Sequence, residues 1–184
     1  RPAAIRRLED WPGLSISDKV LLLALLARRK WITELLVGRA SYDQKIVAVE
    51  PLLRDLNLVF KPNWLEHRRR GRLEWIQVAV NKEILDYILR PNHNLTTLEA
   101  GLLYGYPGSH VLGFLKLIPP HPRQAKTSPA QFFLAGCYSV EKDFETNYFQ
   151  QVWQEMAQLS PKLIVQAQEW FLTRGSPRAR PVSP

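Results

Sequence analysis

Cysteine occurs once, at Cys137, so no internal disulfide can form and a disulfide-stapled scaffold is excluded. Histidine is scarce too: there are four, and His93, His110 and His121 lack the paired spacing of a zinc site. Long apolar runs are missing. The longest, Val20 to Ala27, has eight residues, well short of the ~20 that cross a bilayer. The opening residues from Arg1 have no apolar core of the kind that marks a secretory signal. The glycines after Tyr104 follow no strand and lack a Lys-Ser/Thr pair, which excludes a phosphate-binding loop. No period recurs along the chain, so a repeat solenoid is not expected. Together these absences lead to the expectation of a cytoplasmic protein, outside the membrane, with neither cofactor nor metal.

The 184 residues present are 46% hydrophobic, enough for one domain with a substantial core. Net charge is +8, and it is unevenly spread. Lys19 to Arg90 carries 14 basic and eight acidic residues, whereas 91–173 carries five and six. Arg174, Arg178 and Arg180 add a basic tail. A positive surface of this kind attracts phosphate backbones or an acidic protein, and it also serves solubility.

Helical signals dominate. Ser15 and Asp18 have the spacing of a cap before KVLLLALLARR, which is apolar on nearly every face and so reads as a buried helix. Arg28, Arg29 and Lys30 then fall at its carboxyl end, where cations suit the helix dipole. A short helical stretch is expected over Ile32 to Val37, ending at Gly38. Ser41 and Gln44 form a capping box that should start another helix at Tyr42, kinked or split by Pro51. Leu58 to Phe60 and Leu73 to Val80 read as the strands of a hairpin, joined by the charged loop KPNWLEHRRRGR.

Further helices follow over Lys82 to Leu89, Thr97 to Tyr104 and Val111 to Leu117. Asn81, Thr96 with Glu99, and Ser109 are their expected caps. Ser128-Pro129 and Ser160-Pro161 each read as a cap followed by a first-turn proline. Ser139 is expected to cap a long helix to about Gln158, where Phe144, Tyr148, Val152 and Met156 fall at fourfold spacing. The glycines at 101, 105, 108 and 113 allow two short helices to approach closely.

The expected fold is mainly α: a multi-helix single domain with a small β-hairpin, winged-helix-like in residues 15–80. It would divide into a basic helical section with the hairpin (11–90), a helical section packed on it (93–173) and a disordered basic tail (174–184). In a winged helix the third helix enters the major groove and the hairpin is the wing. Tyr42, Gln44 and Lys45 would then reach base edges. Lys61, Arg68, Arg69, Arg70 and Arg72 would meet phosphate oxygens, and Trp64 would stack on a base or a partner. Asp43, Glu50, Asp55 and Pro51 count against such a recognition helix.

The leading expectation is therefore a non-catalytic nucleic-acid-binding protein, DNA or RNA, using the basic hairpin and adjoining helix. The alternative is a protein-interaction or assembly subunit docking an acidic partner through the basic loop and aromatic helices, with a homodimer or larger complex in view. An enzyme ranks third, because no serine, cysteine or second acid completes a catalytic group. Its signature would be a pocket holding Glu99, His110 and Tyr104 or Tyr106 together, although capping is the more natural role for Glu99. Cys137, in FFLAGCY, reads as core rather than nucleophile.

Overall fold

Ser15 accepts from the backbone of Asp18 at 3.1 Å while Asp18 reaches back to the backbone of Ser15, and this reciprocal cap starts the central helix. A computed structural model describes residues 2–36, 42–67, 71–91, 95–118, 128–135 and 143–175; the side chains at 36, 42–43, 64–67, 71–73, 143 and 174–175 are not described. The capped helix, α2 (Ile16–Leu26), follows α1 (Pro2–Asp10). Val20, Leu22, Leu23, Ala24 and Leu25 are fully buried, so α2 is enclosed on nearly all faces, as its sequence implies. It ends at Leu26, earlier than the apolar run, because Arg28 takes a left-handed conformation at φ 61°.

α1 was not anticipated. Only Ile5 and Leu8 of its nine residues are buried hydrophobics, too few to show a period, and tertiary contact supplies the rest. Arg7 pairs with Asp55, and Trp11 Nε1 donates to the Ala48 carbonyl at 3.1 Å.

The stretch expected as a helix over 32–37 is instead β1 (Ile32–Leu36). Ile32 and Thr33 are β-branched, and the segment pairs antiparallel with β3 (Gly71–Ala79), from Ile32↔Ala79 to Leu36↔Trp75. Sheet pairing overrides the weak helical reading of five residues. α3 (Tyr42–Asp55) begins where expected but is neither split nor ended by Pro51; Ser41 lies outside the described residues. Pro51 is exposed and Val47, four residues earlier, is 73% exposed, so the turn that lacks an N–H faces water.

The hairpin has long strands rather than a long loop. β2 (Val59–His67) pairs with β3 throughout, from Val59↔Ala79 to His67↔Gly71. The charged residues and Gly71 of this segment read as a solvent-exposed turn, but the sheet order β1-β3-β2 makes β2 an edge strand, where Pro62 needs no ladder partner.

α4 (Lys82–Ile88) is capped by Asn81, whose Oδ1 accepts from Ile84 N at 3.0 Å. α5 (Thr97–Leu103) carries the Thr96–Glu99 capping box. α6 (Gly108–Phe114) starts three residues before the expected Val111 and has Pro107, not Ser109, at its cap position. Gly101 permits the α5–α6 approach, since a Cβ there would meet Val111 Cγ2 at 2.5 Å. Gly105 has φ 76°, and a Cβ would meet the Arg29 carbonyl oxygen at 2.0 Å; Gly108 has open space.

α7 (Pro129–Leu134) and α9 (Pro161–Trp170) use Ser128 and Ser160 as caps, as expected. α9 continues as a π-helical turn, Phe171–Gly175. α8 (Asp143–Leu159) carries Phe149, Val152, Trp153 and Met156 into the core, so most of the aromatic stripe is structural. Ser139, Cys137 and the tail beyond Gly175 lie outside the described residues.

One hydrophobic core runs from Ile5 through Leu22, Leu52, Ile76 and Phe133 to Phe149 and Phe171, drawing on both halves of the chain. A smaller cluster of Ile32, Ala79 and Leu85 joins β1 to α4 and α5. The chain is a mainly helical, multi-helix single domain with a small three-stranded sheet.

Candidate functional site

Two features collect polar and charged groups: the face of α3 with the adjoining hairpin, and a cavity beside β1. On α3, Gln44 is exposed, whereas the Lys45 ammonium lies 3.7 Å from Asp18 with its side chain mostly covered. Glu50 accepts from Arg54 at 2.6 Å, and Asp55 is held by Arg7. The carboxylates that would oppose a phosphate backbone are thus matched within the fold, except Asp43, whose side chain is not described.

Cations at the base of the hairpin are also matched. Lys61 lies 3.1 Å from Asp86, which Lys82 also engages, and the two ammonium groups, Lys82 first, hold the Asp86 carboxyl below its ordinary range. Among the described residues β1 pairs with β3 as far as Trp75, and beyond that point Trp64–His67 pair with Gly71–Glu74 as a two-stranded ribbon. Trp64 and Arg72 belong to this ribbon by backbone register, opposite Glu74 and Glu66. Arg68, Arg69 and Arg70 join its strands and lie outside the described residues, as do the side chains of Tyr42, Trp64 and Arg72.

The cavity, of about 510 Å³, is bounded by β1, α5 and α6, and its lining includes Glu34, Tyr104, Tyr106, His110, Val111 and Phe114. The Tyr104 hydroxyl donates to Glu34 Oε1, and burial, with Glu34 beside it, pushes the Tyr104 pKa upward. Behind Tyr104, Lys30 is only 5% exposed; its Nζ donates to the Tyr104 carbonyl at 2.5 Å and sits 5.1 Å from the Tyr106 ring centroid. Burial pushes the Lys30 ammonium down to about 8.

His110 stacks on Tyr106 at 5.3 Å, with Nδ1 3.5 Å from Glu145 Oε2, and Ser109 Oγ donates to Glu145 Oε1 at 2.9 Å. The expected grouping is therefore met in part: His110, Tyr104 and Tyr106 share the cavity, but Glu99 does not line it. Glu99 caps α5 and accepts from the Tyr87 hydroxyl. Glu34, Glu145 and Lys30, which sequence reasoning left out of any site, take the neighbouring positions. Their separation from α5 and α6 in the chain left no local signal.

Among the described residues no group of three His, Cys, Asp or Glu side chains is placed to hold a metal ion, and no helix is long and apolar enough to cross a membrane. His93 and His121 lie outside those residues. The chain matches no family, no curated protein and no solved structure at a significant level.

Proposed function

We propose that the chain is a non-catalytic nucleic-acid-binding protein whose contact surface is the hairpin ribbon, with α3 beside it. The observation that carries this reading is the sorting of charge. Lys45, Lys61, Arg7 and Arg54 are all engaged by carboxylates, whereas Arg68, Arg69, Arg70 and Arg72 fall within five consecutive positions at the far end of the hairpin. Two nine-residue strands reach about 30 Å at ~3.3 Å per residue, and a two-stranded ribbon is one of the elements a major groove admits.

The order α2, β1, α3, β2, β3 supports a winged-helix-like arrangement, with a strand in place of its second helix. The exposed face of α3, with Gln44, Val47 and Pro51, is near neutral, so the ribbon supplies most of the affinity and α3 the orientation. A second reading, an assembly subunit, is favoured by the exposure of Leu98 and Leu102 one turn apart on α5.

A salt-titrated binding assay against duplex DNA, single-stranded RNA and heparin tests the leading reading. It compares the intact chain with a variant in which Arg68, Arg69, Arg70 and Arg72 are neutralised. Micromolar binding that prefers one nucleic acid over heparin and is lost in the variant is the expected result. Equal weak binding to every polyanion, unchanged by the substitutions, overturns it.

A further inference from the structure

We propose that the cavity between β1 and the α5–α6 pair binds a small organic ammonium compound with an apolar body, with Glu34 as its counter-ion. The cavity's volume of about 510 Å³ falls within the ~300–1,000 Å³ typical of small-molecule sites. Its wall is largely hydrocarbon and aromatic: Leu95, Ala100, Val111, Phe114 and Tyr104. Among the described residues Glu34 is the one carboxylate in that wall, and it is partly buried. Among the described residues its side chain meets the Tyr104 hydroxyl and no cation.

Lys30, which reaches the same tyrosine, is committed to the Tyr104 carbonyl and the Tyr106 ring and forms no ion pair with Glu34. A partly desolvated carboxylate without a cation is costly, and an ammonium group brought by a ligand offsets that cost. The rings of Tyr104 and Phe114 add attraction for a cation, and the apolar wall accepts the body that carries it. A lysine side chain from a partner protein has the same head group. The volume of about 510 Å³ favours a free amine, whose aromatic or branched body fills more of it than a linear side chain does.

The Tyr104 hydroxyl fixes the carboxylate. It stays a donor at neutral pH, because burial raises its pKa further from neutrality. Gly101 is also part of the design: the close approach it permits brings Val111 and α6 over the cavity.

Calorimetry or ligand-detected NMR on the intact chain tests this with phenethylamine and tryptamine, their neutral hydroxyl isosteres, and a short acetylated lysine peptide. The expected result is sub-millimolar amine binding, at least about tenfold weaker for the neutral isosteres, and a similar loss in Glu34→Gln. Tyr104→Phe should weaken binding by a smaller factor. The isostere comparison uses the unaltered protein, so it stands even if Glu34→Gln folds poorly. Equal affinity for amines and isosteres, no amine binding at millimolar concentration, or a folded Glu34→Gln protein that binds normally overturns the proposal. A lysine peptide that binds tighter than the free amines, with the same dependence on Glu34, overturns the small-molecule assignment in favour of a protein side chain. None of these outcomes depends on the hairpin arginines.

Discussion

The hydroxyl of Ser160 donates to Glu9 Oε1 at 2.6 Å, and so fastens the first helix to the start of the last. The same oxygen accepts from Leu163 N at 3.2 Å, capping α9. Ser160 is fully buried and Glu9 nearly so. Ser160→Ala therefore loses a cap, at about 1 kcal/mol, and leaves a buried carboxylate short of a donor, at about 1–3 kcal/mol. Urea melts should show a loss of about 2–4 kcal/mol. In Glu9→Gln the same substitution should cost less, because the partner no longer carries charge; equal costs in both backgrounds would disprove the coupling.

Gly105 and Gly108 sit three residues apart and should respond oppositely to alanine. At Gly105 the positive φ and the 2.0 Å approach to the Arg29 carbonyl oxygen leave no room for Cβ against backbone. Gly105→Ala should cost roughly 3 kcal/mol or more, since neither partner can yield cheaply. Gly108 opens α6 and has nothing within 4 Å, so Gly108→Ala should be neutral or stabilising by up to about 1 kcal/mol. Thermal melts of the two variants decide the matter, and similar losses in both would refute the packing described for Gly105.

Lys30 makes stability depend on pH in the alkaline range. Its pKa in the fold is about 8 against an ordinary 10.5, so between those values the unfolded chain holds a proton that the folded chain has released. Stability contributed by this residue must then rise with pH through that window, because the unfolded state binds more protons there. The full gap corresponds to about 3 kcal/mol. Relative to Lys30→Met, the unaltered protein should gain about 2 kcal/mol between about pH 7 and about pH 10. Parallel stability curves for the two proteins would show that the ammonium is not desolvated as described.

Local signals in the sequence were legible where a few adjacent residues decide the structure. The Ser15–Asp18 and Thr96–Glu99 boxes mark the starts of α2 and α5, and the Ser-Pro pairs mark those of α7 and α9. β1 was not legible, because Ile32–Leu36 becomes a strand only through pairing with β3, some 40 residues away. Only the first residues of β2 were legible, because a run of charged residues leading to Gly71 is a turn signal unless the strand is known to lie at an edge. The cavity was half legible. Tyr104, Tyr106 and His110 stood out as a local cluster, but Glu34 and Glu145 join them only through the tertiary fold.

The sorting of charge makes a quantitative prediction about salt. If four hairpin arginines each displace one counterion from duplex DNA, neutralising Arg68, Arg69, Arg70 and Arg72 should reduce the slope of log K against log salt by about 3–4. Lys45→Ala and Lys61→Ala remove charges already matched by Asp18 and Asp86, so each should change the slope by less than about 0.5. Arg and Lys are equally cationic to a distant phosphate, so net charge alone predicts similar slope changes per residue at all six positions. A gap between the two sets is therefore specific to their placement, and its absence would mean that binding reflects net charge rather than the hairpin.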